Sequence, residues 1–152
     1  MVSQGIAVTY PIIIAPVALC VALAANLPAH ASDKIINTPL SKLDWKISKE
    51  GVGFAALHGD RFKESYMAMV KLPAGLVSPV HTKTANMYGL VVSGTIANIA
   101  IGAPPESEVE LPSGSYYKIP ANLPHVSSCI SKTDCITFLY QDGKFDFLPV
   151  KP

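Results

Sequence analysis

From residue 45 onward the chain runs in short stretches rich in β-branched and aromatic residues, each broken after a few positions by Gly, Pro, Asn or Asp. No stretch keeps apolar residues at the period of an amphipathic helix, so the pattern predicts strands. They are expected over Trp45–Ser48, Val52–Leu57, Ser65–Leu72, Met87–Val92, Thr95–Ile101, Ser115–Ile119, His125–Ile130, Ile136–Gln141 and Phe145–Leu148. Ser93-Gly94 and Asp142-Gly143 read as tight hairpin turns, and Ala103-Pro104-Pro105-Glu106 as a surface loop. Thirteen Pro and ten Gly leave little room for long helices. Strand-sized runs recurring every roughly 8–12 residues, with Gly and Pro between them, predict an all-β sandwich or barrel. Residues 32–44 form a polar lead-in, and no internal repeat or low-complexity tract is present.

The first thirty residues are built differently. Residues 1–31 carry no charged side chain, so all twelve basic and all eleven acidic residues lie beyond them. The run Gly5–Leu27 is apolar apart from Thr9, Tyr10 and Asn26, and it ends in Ala29-His30-Ala31. Small residues at these positions suit a signal peptidase, so residues 1–31 read as a signal peptide removed after Ala31. The run is also long enough to span a bilayer, which needs about 20 apolar residues. The rival reading is therefore a retained membrane anchor, the only circumstance in which this chain has a membrane partner. Either reading places residues 32–152, a single domain, in the periplasm or outside the cell.

Charge and composition narrow the function. A formal net charge of +1 excludes a nucleic-acid binder that works through a basic excess. With 49% hydrophobic and only 15% charged residues, the chain is not a disordered tail. Export changes what the cysteines mean. Cys129 and Cys135 flank the turn-forming stretch Ile-Ser-Lys-Thr-Asp between two expected strands. Opposed residues of a hairpin have Cα atoms about 4.5–5.5 Å apart, within reach of a disulfide. An oxidising compartment closes such a pair, and so short a loop adds about 2–2.5 kcal/mol in the chain-entropy picture. A redox pair or a metal ligand is the functional alternative.

Two stretches carry more than strand periodicity. The first runs from Gly75 through His81, Lys83, Met87 and Tyr88 to Gly94. The second runs from Gly114 through Pro120 to His125. Their spacing resembles the two signature motifs of the cupin superfamily, whose first motif holds Gly, His-x-His, Glu and Gly, and whose second holds Gly, Pro-x-Gly, His and Asn. Gly75, His81 and Gly94 match the first; Gly114, Pro120 and His125 match the second. The phrases around them are similar to those of small single-domain bacterial cupins. The resemblance implies a cupin-type β-barrel, a jelly roll or double-stranded β-helix, with a site inside the barrel and a homodimer formed through edge strands.

The departures from the motif matter as much as the matches. A complete cupin metal centre would use both His of the first motif, its Glu and the His of the second. Here Lys83 stands at the second His, and Met87 or Tyr88, depending on the count, at the Glu. A charged ammonium has no lone pair for a metal, and a thioether suits copper(I) better than Fe, Mn, Ni or Zn. His81 and His125 remain as the metal-ligand candidates for one divalent transition metal (Fe, Mn, Ni, Cu or Zn), in an incomplete site. His58 and Asp60 would join them only if the register turned them inward.

His81 and Lys83, two apart, share one strand face, and the resemblance makes that face the barrel interior. The ligand pocket is therefore expected to hold His81, Lys83, Met87, Tyr88 and His125. Lys83 and Tyr88 are the candidates for acid–base catalysis. The reading that follows is an exported module holding a small, anionic ligand in its barrel. The alternative is a metal-dependent dioxygenase, isomerase or lyase that uses His81 and His125. Whether the chain is an enzyme stays open at this point.

Overall fold

The computed structural model describes residues 34–151, and the segment read as a leader, 1–31, lies outside the described residues. Asn37–Pro152 forms one compact unit. Its strands are β1 (Lys46–Ile47), β2 (Gly53–His58), β3 (Tyr66–Leu72), β4 (His81–Thr82), β5 (Met87–Ser93), β6 (Thr95–Ala100), β7 (Val109–Pro112), β8 (Tyr116–Ile119), β9 (His125–Cys129), β10 (Cys135–Gln141) and β11 (Leu148–Pro149). They make two antiparallel sheets, one in the order β1-β2-β3-β10-β5-β8 and the other β11-β4-β9-β6-β7. From β3 onward the chain passes repeatedly from one sheet to the other, the course of a jelly roll.

The alternation that predicts the strands also decides which way they face. In β10, Cys135, Thr137, Leu139 and Gln141 are buried, while Ile136, Phe138 and Tyr140 are partly exposed on the outer side. β10 sits between β3 and β5, so its inner face meets Tyr66, Ala68 and Val70 on one side and Met87 and Val91 on the other. Two strands escaped the sequence pattern. β7 is an edge strand exposed along nearly its whole length, so burial imposes no alternation on it. β4 has only two residues.

Both expected hairpin turns are instead corners between sheets. Ser93-Gly94 joins β5 of one sheet to β6 of the other. Gly94 has φ +80°, and a β carbon there would lie 2.9 Å from Cys135 Sγ and 3.0 Å from Cys135 Cα. After β10 the chain leaves at Asp142, whose carboxylate accepts the Asn86 backbone N–H (2.8 Å) and side-chain N–H (2.7 Å). It then crosses to β11. Phe145–Phe147, expected as strand, lies outside β11 because its polar groups are engaged elsewhere. The Asp146 carbonyl accepts from Lys83, and its carboxylate accepts from Thr84.

Cys129 and Cys135 form a disulfide with Cα atoms 5.7 Å apart. The hairpin expected to bring them together does not exist: β9 pairs with β4 and β6, and β10 with β3 and β5. The bond therefore staples the two sheets at the corner where Gly94 also packs.

That corner makes a paired prediction. Gly75 and Gly94 both have left-handed backbones, but nothing lies within 4 Å of a β carbon at Gly75. Gly75→Ala is expected to lose about 1–2 kcal/mol, the cost of an L-residue in that conformation. Gly94→Ala is expected to lose more, because Cys135 must also move. Denaturant unfolding measures both, and equal losses would show that the corner is not tightly packed.

Candidate functional site

His81 opens β4 and His125 opens β9, and the register pairs them directly. Their ring centroids are 4.2 Å apart, and His81 also stacks on Phe147 at 4.1 Å. The same local device orients both rings. His81 Nδ1 lies 2.9 Å from the Pro79 carbonyl, and His125 Nδ1 lies 2.8 Å from the Leu123 carbonyl. A carbonyl oxygen only accepts, so each Nδ1 carries the proton and each Nε2 keeps its lone pair. His125 Nε2 is buried with no partner. Burial lowers the pKa of His81 to about 4, against the opposing effect of the Pro79 carbonyl. Burial also lowers that of His125. Both rings are neutral at pH 7.

Lys83 is buried as well, at 7% exposure. Its Nζ donates to the Asp146 carbonyl (2.7 Å) and lies 4.5 Å from the Phe145 ring centroid and 5.5 Å from that of Phe147. Desolvation lowers its pKa to about 8, opposed by the Asp146 carboxylate. Its backbone carbonyl accepts the Asn122 N–H at 2.7 Å. Asn122 stands where the family's second motif has Gly, and it keeps the left-handed backbone, φ 61°. Asn is among the few side chains that tolerate that conformation.

The barrel holds a cavity of about 620 Å³ that opens to solvent at one side, and His81, Lys83 and Met87 are in its wall. His125 touches the ring of His81 but is not part of that wall. Tyr88 is a correction to the sequence reading. Met87 and Gly89 face inward, so Tyr88 faces outward, where it stacks on Tyr140 (5.9 Å) beneath Lys118 Nζ (5.4 Å). It does not line the cavity. The inward tyrosine is Tyr117, whose ring occupies the space a side chain at Gly89 would fill. Burial raises its phenol pKa.

Sequence reasoning also missed Arg61 and Asn98, both in the cavity wall. Arg61 is the only arginine of the chain. It comes from a turn far from both motifs, and its singularity among twelve basic residues was the one available signal.

Does the donor set fit a metal? Among the described residues, no group of three or more His, Cys, Asp or Glu gathers to hold one. His58 is exposed, the Asp60 carboxylate pairs with Lys63 at 2.7 Å, and Cys129 is in a disulfide. Two imidazoles alone fall short of the three or four protein ligands of an ordinary zinc site. The residues present do not complete a metal centre.

The buried cation makes stability depend on pH in a direction that can be worked out. Lys83 has a folded pKa near 8 against an ordinary 10.5. Between these values the unfolded chain holds the extra proton, so Lys83 makes stability rise as pH rises through that window. For His81, about 4 against 6.5, stability falls as pH drops through the lower window. Lys83→Met is expected to abolish the alkaline rise and leave the acid loss, as read from urea midpoints at a series of pH values.

No family model matches this sequence, and no curated protein does. Solved structures match on shape. The cupin domain of Schizosaccharomyces pombe Cnp3 aligns with TM-score 0.59 at 15% identity, over 73% of this chain and 76% of that one. The polyketide cyclase RemF of Streptomyces resistomycificus aligns with TM-score 0.60 at 13% identity, over 78% and 87%. An RmlC-like cupin of Shewanella frigidimarina gives 0.56 at 16%, over 69% and 88%. Identities this low speak to fold alone, and a cyclase stands among the neighbours beside proteins described only as cupins. The fold of this chain is the all-β cupin barrel.

Proposed function

We propose that this chain is an exported cupin-fold module that holds a small anionic molecule inside its barrel. The observation that carries the reading is the ammonium of Lys83, buried in the wall of a cavity of about 620 Å³. Among the described residues no carboxylate lies within ion-pair distance of it. A buried cation held by one carbonyl, with its nearest carboxylate, Asp146, beyond ion-pair distance, is only partly compensated, and an anionic ligand would relieve the remaining cost. Export is supported by the charge-free segment 1–31 and by the disulfide, a bond that persists in oxidising compartments.

One observation favours a second reading. His125 Nε2 is buried and without a partner, and the proton on its Nδ1 leaves it free as a ligand. A divalent metal held by His81 and His125 would draw its remaining ligands from outside the protein.

The test is to express the full chain with its leader, recover the exported product and determine its metal content. Less than one metal per chain is expected, before and after incubation with Mn, Fe, Ni, Cu or Zn. Small organic and inorganic anions at millimolar concentration are expected to raise the melting temperature, as any ligand of the folded state does. Stoichiometric metal that vanishes in a His81→Ala, His125→Ala variant would overturn the proposal in favour of the second reading. The intact mass of the same product is expected to match cleavage after Ala31, and an uncleaved mass would show a retained anchor.

A further inference from the structure

Among the described residues, four buried side-chain polar atoms have no hydrogen-bond partner: Ser48 Oγ, Arg61 Nη1, Asn98 Nδ2 and His125 Nε2. The first three belong to residues lining the same cavity. Ser48 lies beside the Glu50 carboxylate, which its hydroxyl stabilises, so Arg61 Nη1 and Asn98 Nδ2 are the unanswered donors of this lining. Unpaired buried donors are costly, and the two point to a ligand that accepts hydrogen bonds in the cavity.

Arg61 is the most constrained of them. Its guanidinium carbon lies 4.4 Å from the Phe54 ring centroid, 4.6 Å from that of Phe62 and 5.3 Å from that of Phe145. Three rings strip water from the cation without neutralising it. The carboxylates of the cavity lining and of the surrounding turns are committed elsewhere, Glu50 to the Ser48 hydroxyl and to Lys49 at 3.6 Å. Asp60 pairs with Lys63 at 2.7 Å and accepts the Phe62 N–H, and Asp146 accepts from the Thr84 N–H and hydroxyl. The group cannot shed its proton either. Its position is fixed in advance, because the turn is bonded through the Asp60 carbonyl and the Arg61 carbonyl accepts the Phe145 N–H. A pre-ordered donor loses little entropy on binding.

The rest of the wall is mostly apolar, including Val52, Val70, Leu72, Ile96 and Leu139. A planar guanidinium matches a carboxylate in two parallel hydrogen bonds. A monoanion also costs less to desolvate among phenyl rings than a phosphate dianion does. We infer that the ligand is an amphipathic monocarboxylate, its carboxylate on Arg61 and its hydrocarbon body in the barrel. This rests on the anionic-ligand reading above and adds the class of ligand and the anchoring residue.

Isothermal calorimetry on the exported protein tests it with acetate, butyrate, octanoate, octanamide and inorganic phosphate as probes. Affinity is expected to rise from acetate to octanoate by up to about fourfold for each methylene that reaches the apolar wall. Octanoate is expected to bind at least tenfold more tightly than its neutral isostere octanamide. Arg61→Gln is expected to remove that preference while octanamide binding persists, and Lys83→Met is expected to weaken octanoate less. The comparison of octanoate with octanamide in the unmodified protein stands even if Arg61→Gln fails to fold. Phosphate bound in place of octanoate, or a loss that follows Lys83→Met and not Arg61→Gln, would overturn the inference and leave the proposed function standing. Binding of none of these anions would overturn both.

Discussion

Burying the ammonium of Lys83 among phenyl rings is the constraint around which one end of the barrel is arranged. An ammonium needs acceptors, and the interior supplies one, the Asp146 carbonyl at 2.7 Å. Holding that carbonyl in place keeps Phe145–Phe147 out of the sheet. The carboxylate of Asp146 pins the segment a second time, on Thr84. With the segment so fixed, Phe145 and Phe147 lie over the ammonium, Phe147 stacks on His81, and the Phe145 N–H reaches the Arg61 carbonyl. The lysine thus ties together the second sheet's edge, one imidazole and the turn that carries the guanidinium.

The strands were legible wherever one face is buried. β5 and β10 alternate between buried and more exposed positions because the core enforces it, whereas β3 is buried on both faces at Ala68–Val70 and reads as a continuous apolar run. β7 was not legible, since both its faces meet solvent. The turns at Gly94 and Asp142 misled for a different reason. Local turn chemistry specifies that the chain reverses, and it is silent about which sheet the next strand joins. The same silence explains the cysteines: their spacing allowed a bond, but the bond joins two sheets where a hairpin was expected.

At the site, motif spacing located His81, Lys83 and His125. It wavered by one residue between Met87 and Tyr88, and on a strand one residue is the difference between inside and outside. The structure gives the inside to Met87. Arg61 and Asn98 carried no motif. Long-range packing brings them to the cavity, Arg61 through a turn between β2 and β3 and Asn98 through register with Ser127 on β9. Nothing local in a sequence encodes such an encounter.

Lys83 in place of a second histidine changes the site twice in the same direction. It removes an imidazole lone pair from the donor set, and it adds a positive charge beside the two imidazoles that remain. Like charges repel more strongly in a low-dielectric interior than in water, so a dication held by the two imidazoles would be opposed by the ammonium. An anion in the same place would be attracted. Burial weakens the charge by lowering the lysine's pKa to about 8, yet leaves it mostly protonated at neutral pH. Arg61, which cannot titrate, adds a second positive charge to the same wall. The two histidines are left as neutral, pre-oriented acceptors in a barrel lined by Lys83 and Arg61, the arrangement on which the proposed anionic ligand rests.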